Sequence, residues 1–305
     1  MQKVKIKMSK IILWNTLAFT VILFACKHKT IKPINQENCE LNEKTLNCQN
    51  LAKSSAFELI DGDVIDYQDF PSVHILYNME SKSFCTGTFV RQNLMITAGH
   101  CIQNPSLAKT SFVILKPIIV ENKITSFSLV ARSIDYQMNP EYVDIARLYG
   151  ESSLKAFLLD IGFVVFPDNT SETYRKINFK PIPYGEIIEL VGFGKFNRRK
   201  QLDLRKRTGT NKIAEEIYHK GFIEIEQVID YGKVDEEKGD TGVLSGDSGG
   251  PMLHDDELVG IVSGYSYKKR FIFWKKDVRG IFAEIAWKKN QDFILETVEL
   301  LGQKL

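Results

Sequence analysis

Beyond residue 57, the apolar residues of the chain fall into short runs that glycine, proline, asparagine and aspartate interrupt. Some runs alternate apolar and polar residues and others are apolar throughout, as expected for β-strands buried on one face or on both. The clearest runs are residues 73–77, 112–120, 161–166, 187–194 and 258–265. Residues 286–301 instead space their apolar side chains as one face of a helix does. The pattern predicts an all-β body closed by a C-terminal α-helix.

The start of the chain differs from this body. Its first 25 residues contain four lysines and no acid, and they end in the mostly apolar run 11–25. This run is short for a membrane span of about 20 residues, and the charge pattern is typical of a signal peptide. We therefore predict a signal peptide over residues 1–25.

The end of this segment, Leu23-Phe24-Ala25-Cys26, resembles a bacterial lipobox, in which the cysteine is lipidated and becomes the mature N-terminus. The alternatives are an uncleaved signal anchor or ordinary cleavage nearby. We expect an exported protein that is either held at the outer membrane by a lipid on Cys26 or extracellular.

Residues 26–58 are polar and carry no sustained period, so we interpret them as a lipid-tethered linker or a propeptide. They contain Cys39 and Cys48, and with Cys85 and Cys101 these make four thiols that allow three pairings. Pairing of Cys39 with Cys48 is the simplest local solution. Export would place these cysteines in a compartment where disulfides persist.

Composition and charge narrow the class of protein. The chain has 305 residues, of which 44% are hydrophobic and 26% charged, as in a folded globular protein. Removing the four lysines of the first 25 residues leaves 36 bases against 38 acids, a net charge of −2. A nearly neutral surface gives no electrostatic reason to expect a nucleic-acid partner.

Two short motifs carry chemistry. Residues 246–251 form a glycine-rich sequence, GDSGGP, that presents Ser248, and residues 97–101, TAGHC, present His100. A serine hydroxyl attacks an amide at neutral pH only when a positioned base takes its proton, and histidine titrates in the required range. We predict that Ser248 is a nucleophile and His100 its general base. The glycines would let the N–H groups of Gly246 and Ser248 point into one oxyanion pocket.

Together these motifs resemble those of the chymotrypsin-like serine proteases, the S1 family with the trypsin fold, over about residues 59–300. Further matching segments follow in order: Leu59-Ile60-Asp61-Gly62, then residues 84–89 (FCTGTF), 191–194 (VGFG) and 280–285 (GIFAEI). The resemblance implies two six-stranded antiparallel β-barrels packed together with a C-terminal α-helix, in a protease domain of residues 59–305. It also implies a serine endopeptidase that cleaves proteins or peptides through an acyl-enzyme, without a metal or organic cofactor.

Two aspartates compete for the third position of the catalytic triad. The family's aspartate begins a buried strand, and the residues after Asp160 are uniformly apolar, whereas Asp144 would bring Arg147 into that strand. The distance from His100 along the chain favours Asp144 instead. Asp144 lies 44 residues from His100, which is closer to the family's usual spacing than the 60 residues of Asp160. We expect Asp160 to complete the triad and retain Asp144 as the alternative.

The resemblance also implies a disulfide and a substrate pocket. Cys85 and Cys101 stand where the family has the disulfide that fixes the histidine loop. The residues at pocket positions are Gly242, Val243, Ser263, Gly264, Tyr265 and Gly280. Glycine, not an acid, occupies the position of the pocket floor, so we expect a preference for uncharged, apolar side chains.

Activation is implied in the same way. In the family, a cut frees an N-terminal amine that pairs with the aspartate beside the nucleophile and orders the oxyanion turn. The corresponding residues are Leu59, with a cut between Glu58 and Leu59, and Asp247. The alternative is a chain that works uncut.

A different class of function is a catalytically inactive protease homologue that acts as a binding module in the cell envelope, because a fold alone does not prove activity. Such modules usually lose the serine or the histidine. This chain retains both, so we expect catalysis.

Overall fold

In the computed structural model of the protein, the residues described are 27–30, 34–35, 39–42, 44–48, 62–103, 108–121, 123–151, 153–194, 204–213, 222–229, 241–243, 245–269 and 276–301. The predicted signal peptide, Cys26 and Leu59 lie outside them. The side chains of Cys39, Cys48 and Tyr265 lie outside them as well, although their backbones belong to described strands.

Within these residues, most regular structure is β. The strands are β1 (Lys27–Thr30), β2 (Ile34–Asn35), β3 (Cys39–Leu41), β4 (Thr45–Cys48), β5 (Asp63–Val64), β6 (Val73–Asn78), β7 (Ser83–Phe89), β8 (Leu94–Thr97), β9 (Phe112–Val120), β10 (Lys123–Arg132), β11 (Asp135–Met138), β12 (Gly162–Val165), β13 (Ile187–Gly192), β14 (Arg207–Lys212), β15 (Phe222–Ile229), β16 (Pro251–His254), β17 (Glu257–Lys269) and β18 (Lys276–Glu284). The α-helices are α1 (Pro140–Tyr149), α2 (Leu154–Leu158) and α3 (Lys288–Leu300).

The strands form two antiparallel sheets. One has ten strands in the order β11-β12-β8-β7-β6-β9-β10-β4-β3, with β2 also paired to β7. The other has eight strands in the order β15-β18-β17-β16-β13-β14-β5, with β1 also paired to β17. This confirms a mostly β fold with few helices. Among the described strands neither order returns to its first member, so the two closed six-stranded barrels stay a prediction.

The apolar runs found in the sequence coincide with strands. Each of the five clearest runs contains most of one strand, namely β6, β9, β12, β13 or β17. β7 is buried along its whole length, because β6 and β8 flank it in the ten-stranded sheet and aromatic rings pack onto it. The ring centroids of Tyr77 and Phe84 are 4.7 Å apart, and those of Phe84 and Phe127 are 6.1 Å apart.

The C-terminal helix is confirmed as α3. It packs against the ten-stranded sheet through Phe293, whose ring centroid lies 5.9 Å from that of Phe163 in β12. The Asn290 side-chain amide donates to the carbonyls of Leu158 and Glu284, both at 2.8 Å. The helix therefore joins β12, α2 and the end of β18.

Two helices were not predicted from the periodicity. The Asn139 side chain caps α1 by accepting a hydrogen bond from the Glu141 N–H at 3.0 Å, and Pro140 occupies its first turn, where proline is favoured. Only Tyr142 and Ala146 of this helix are buried. Such a narrow apolar face does not produce a helical pattern that stands out from a loop.

The segment interpreted as a linker or propeptide contains four strands that pair with the body or with each other. β3 and β4 form a hairpin in which Cys39 and Cys48 are directly opposite, and β4 continues the ten-stranded sheet by pairing with β10. The Leu46 side chain is fully buried there. Directly opposite residues have Cα atoms close enough for a disulfide, so this register supports the predicted Cys39–Cys48 bond.

A buried lysine anchors the start of the body. The ammonium group of Lys206 donates to the carbonyls of Tyr67, Asp69 and Phe70 at 2.8, 2.7 and 3.0 Å. Burial lowers the pKa of Lys206 to about 7, while the carboxylates of Asp69 and Asp66 act in the opposite direction. The three acceptors also favour the charged form, because only an ammonium group can donate to all of them.

The described helices are all too short or too polar to cross a membrane. This finding does not bear on the predicted lipid on Cys26 or on the predicted signal peptide, because both lie outside the described residues.

Candidate active site

His100 lies in a single 3₁₀ turn, Gly99–Cys101, that is separated from the end of β8 by Ala98 alone. A disulfide joins Cys101 to Cys85 in the middle of β7. The turn is therefore fixed to the sheet on both sides of the histidine, by the strand before it and by the covalent bond after it. Only 6% of His100 is exposed to solvent.

Asp160 is fully buried beside His100. One carboxylate oxygen, Oδ2, lies 2.7 Å from His100 Nδ1, and the other accepts a hydrogen bond from the His100 backbone N–H at 2.8 Å. A carboxylate can only accept, so Nδ1 carries the proton in this pair and Nε2 is the basic nitrogen. This is the tautomer that a general base acting through Nε2 requires.

A third group, the Ser263 hydroxyl, donates to Asp160 Oδ2 at 2.5 Å. Ser263 lies in β17 and is fully buried. Its hydrogen bond connects the eight-stranded sheet to the histidine and aspartate, which belong to the ten-stranded sheet and its loops. The buried carboxylate thus accepts from three donors, which offsets part of the cost of removing its charge from water.

Burial raises the pKa of Tyr142 in α1, and the neighbouring charges of Asp160 and Glu151 raise it further. The Tyr142 hydroxyl donates to the Gln103 side chain at 3.4 Å. Tyr142 therefore stays protonated and adds no charge near Asp160.

The structure places Asp144 away from this cluster. Asp144 lies on the exposed side of α1, where its carboxylate accepts a hydrogen bond from Arg147 at 2.8 Å. The residues after Asp144 form a helix, whereas those after Asp160 form the fully buried strand β12. Of the two candidate aspartates, Asp160 is the one in contact with His100.

Ser248 lies in a turn between the two sheets. Its carbonyl accepts a hydrogen bond from the Thr86 N–H of β7 at 2.8 Å, and the Gly249 N–H donates to the Val262 carbonyl of β17 at 2.8 Å. The Thr86 hydroxyl donates to the Gly246 carbonyl at 3.0 Å. The turn is therefore fixed from both sides by backbone groups.

The glycines of this turn are required by its shape. Gly246 and Gly249 have φ angles of 103° and 78°, which L side chains rarely adopt. A Cβ atom on Gly249 would also overlap the Thr97 hydroxyl and the Thr86 carbonyl oxygen. Thr97 precedes the histidine turn, so the serine and histidine motifs are in direct contact.

Asp247 is buried beside two further glycines. One of its carboxylate oxygens accepts a hydrogen bond from the Gly194 N–H at 2.8 Å. A Cβ atom on Gly192 or Gly194 would overlap this carboxylate. The end of β13 is thus shaped to receive Asp247, while Leu59, its predicted partner, lies outside the described residues.

The predicted pocket residues with described side chains are all buried. Val243 packs in a small apolar cluster that includes Val262 and Phe282. The stretch before Val243 is fixed to β14 by two hydrogen bonds of Thr241: its N–H donates to the Thr210 carbonyl at 2.9 Å, and its carbonyl accepts from the Asn211 side chain at 2.7 Å. Gly264, Tyr265 and Gly280 lie on the paired strands β17 and β18, and Tyr265 is directly opposite Gly280.

Two other histidines have described side chains. The Tyr67 hydroxyl lies 2.7 Å from His74 Nδ1, and burial is the main cause that lowers the pKa of His74 to about 3. His74 therefore stays neutral and structural. His254 is at the end of β16, where its ring nitrogen lies 3.5 Å from a carboxylate oxygen of Glu186.

The family profile described as Trypsin matches residues 59–272, which is more than half of the chain. The chain belongs to the trypsin family. It is 23% identical over 217 residues to Trypsin 5G1 of Aedes aegypti, covering 70% of this chain and 78% of that protein. It is 24% identical over 210 residues to Trypsin of Saccharopolyspora erythraea, covering 67% of this chain and 86% of that protein.

In this member of the trypsin family, two of the residues that the sequence singled out, His100 and Asp160, are in contact in the structure. The hydrogen bond from Ser263 to Asp160 was missed, because it joins residues 103 positions apart and depends on how the two sheets meet. A serine within the apolar run of β17 was the available signal, since a buried hydroxyl requires a partner.

Proposed function

We propose that the protein is a serine endopeptidase that hydrolyses peptide bonds through an acyl-enzyme on Ser248. The observation that carries this proposal is the buried pair of His100 and Asp160, with Nδ1 and Oδ2 2.7 Å apart, in a member of the trypsin family. A buried histidine held in one tautomer by a carboxylate is the arrangement that activates a serine nucleophile.

The first half of the reaction forms the acyl-enzyme. His100 Nε2 takes the proton of the Ser248 hydroxyl as its oxygen bonds to the scissile carbonyl carbon. The carbonyl oxygen becomes an oxyanion in a tetrahedral intermediate. His100, now an imidazolium, donates its proton to the leaving amine as the C–N bond breaks. Asp160 stabilises the imidazolium and does not itself become protonated.

The second half reverses these roles with water. His100 takes a proton from a water molecule, whose oxygen attacks the acyl carbon, and the proton then returns to the Ser248 oxygen as the ester bond breaks. The products are a carboxylic acid and the regenerated serine. All of these steps use side chains of the chain itself.

The oxyanion is stabilised, in our proposal, by the backbone N–H groups of Gly246 and Ser248. The positive φ angles of Gly246 and Gly249 support this assignment, because they describe a turn that other residues would not form. Loss of one such donor typically costs about 3 to 4 kcal/mol of transition-state stabilisation.

The proposed substrates are proteins or peptides cut after uncharged, apolar side chains. Gly242 at the proposed pocket floor carries no charge, and the buried Val243 beside it belongs to an apolar cluster. We expect a peptide library to be cleaved mainly after apolar residues. Cleavage mainly after lysine or arginine would contradict the assignment of an apolar pocket.

The proposed activation is a cut between Glu58 and Leu59 that lets the new amine pair with Asp247. The buried position of Asp247 beside Gly192 and Gly194 supports it, because an ammonium group placed there would pair with a carboxylate that is already removed from water. We further propose that the chain is exported and held at the membrane through a lipid on Cys26, so that this cut would also break the covalent link between the protease and its tether.

The test uses a fluorophosphonate probe, which reacts with activated serines. We expect rapid labelling of chain cut before Leu59, slow labelling of uncut chain, and none after Ser248→Ala. If chain that is folded, cut and freed of residues 26–58 does not react, the binding-module alternative replaces the enzyme. Equal labelling of cut and uncut chain would instead contradict activation by cleavage.

A further inference from the structure

Strand β17 has an edge that changes partner along its length. β16 pairs with it as far as Ile261, while β18 pairs with its other edge from Gly260 to Lys269. Beyond Ile261 the first edge is occupied by β1, whose residues 27–30 pair antiparallel with residues 264–267. Among the described strands, β1 alone covers this part of the edge.

Strand β7 is covered in the same way. β6 pairs with one edge along residues 83–88, and β8 reaches the other edge only at Thr88 and Phe89. The start of that second edge is occupied by β2, in which Ile34 pairs with Phe84 and Asn35 with Ser83. Together, β1 and β2 thus add one strand to each sheet.

Both of these edges lead to Ser248. Val262 of β17, which accepts from the Gly249 N–H, is two residues from Gly264, the partner of Thr30. Thr86 of β7, which donates to the Ser248 carbonyl, is two residues from Phe84, the partner of Ile34. Successive Cα atoms are about 3.8 Å apart, so the four steps from Thr30 to Ile34 span at most about 15 Å.

We propose that β1 and β2 form an autoinhibitory segment that blocks the approach of substrate to Ser248. The proposal rests on the serine protease function given above. An extended peptide that brings its carbonyl to Ser248 would bind by adding a strand to the same two edges. The segment occupies the same backbone N–H and C=O groups, and as part of the same chain it has a high effective concentration.

The cysteines allow this segment to leave. The described disulfide, Cys85–Cys101, lies wholly within the body, and the predicted pair, Cys39 and Cys48, lies wholly within residues 26–58, the stretch that also contains β1 and β2. After a cut between Glu58 and Leu59, the contacts that hold residues 26–58 to the body, among those described, would be strand pairing and the burial of Leu46. The same cut would free the amine of Leu59 and make the blocking strands dissociable.

The position of the segment is tested first, without reference to activity. We compare two forms of the full chain in the Ser248→Ala background, one with His28→Pro and Lys29→Pro, the other with His28→Ala and Lys29→Ala. Alternate residues of an antiparallel strand bond to each partner, so two successive prolines remove at least one N–H that faces β17. The alanines keep the backbone and remove the same side chains.

The readout is amide hydrogen exchange of residues 264–267. We expect exchange about tenfold or more faster in the proline form than in the alanine form. Equal exchange in the two forms would overturn the placement of β1, whatever the enzyme does.

Inhibition is tested on active chain. Residues 54–58 are replaced by an Asp-Asp-Asp-Asp-Lys site, so that enteropeptidase cuts directly before Leu59. We expect the cut proline form to react with the fluorophosphonate probe at least about tenfold faster than the cut alanine form. Equal rates would overturn autoinhibition while leaving the protease intact. If neither form reacts, the proposed function fails, and exchange still decides whether β1 lies on β17.

Discussion

Replacing His100 with alanine is expected to lower kcat by about 10⁶-fold, as much as replacing Ser248 with alanine. The two losses should not add, because a serine without its base and a base without its serine fail at the same step. The double variant should therefore be no slower than either single one. The remaining rate should exceed that of the uncatalysed reaction in water by about 10³ to 10⁴, which is the contribution of the oxyanion donors and of substrate binding.

The measurement is hydrolysis of a peptide by chain cut before Leu59, with circular dichroism of each variant to show that it is folded. His254→Ala is the matched control, since this histidine interacts with Glu186 at the end of β16 and should leave kcat unchanged within about twofold. Multiplicative losses in the double variant would mean that Ser248 and His100 act independently and are not one catalytic unit.

Asp160→Asn is expected to lower kcat by about 10⁴-fold, the magnitude known for triads of this type, equivalent to about 5.5 kcal/mol. The reason lies in the hydrogen bonds. His100 N–H, His100 Nδ1–H and the Ser263 hydroxyl all donate to the Asp160 carboxylate. An amide has one oxygen, and turning its NH₂ toward Nδ1 makes Nδ1 the acceptor and puts the proton on Nε2, where it prevents base catalysis.

Asp144→Asn is the matched control. Its side chain is exposed and paired with Arg147 on α1, so kcat should change by less than about twofold. The ¹⁵N shifts of the His100 ring should show the changed tautomer in Asp160→Asn and the wild-type tautomer in Asp144→Asn. The opposite result, with activity lost only in Asp144→Asn, would identify Asp144 as the third triad member.

The sequence was most informative where structure follows from local pattern. The run of residues 112–120 predicted β9 with its observed bounds, and the glycines around Ser248 predicted a turn, because both depend on neighbouring residues. The buried strand after Asp160 favoured this residue over Asp144 for the same reason. Apolar runs, glycine turns and rare catalytic motifs can be recognised without knowing the fold.

Long-range pairing could not be predicted in this way. β1 and β2 are short and polar, and their pairing depends on the open edges of β17 and β7, which lie 50 to 240 residues further along the chain. The bond from Ser263 to Asp160 likewise exists only where the two sheets meet. Helix α1 depends on its Asn139 cap and on two buried side chains, which is too little for a helical period.

The three hydrogen bonds of the Lys206 ammonium group to backbone carbonyls affect the entropic cost of ordering the N-terminus that the proposed cut would create. Together with the pairing of β5 to β14, they fix the body from Gly62 onward, so three residues, 59 to 61, separate that fixed point from the proposed amine. Ordering the backbone of three residues costs about 3 to 6 kcal/mol, whereas ordering ten would cost about 10 to 20 kcal/mol. In the proposed activation, so short an arm would keep this entropic cost within what one buried ion pair and the burial of two apolar side chains can offset.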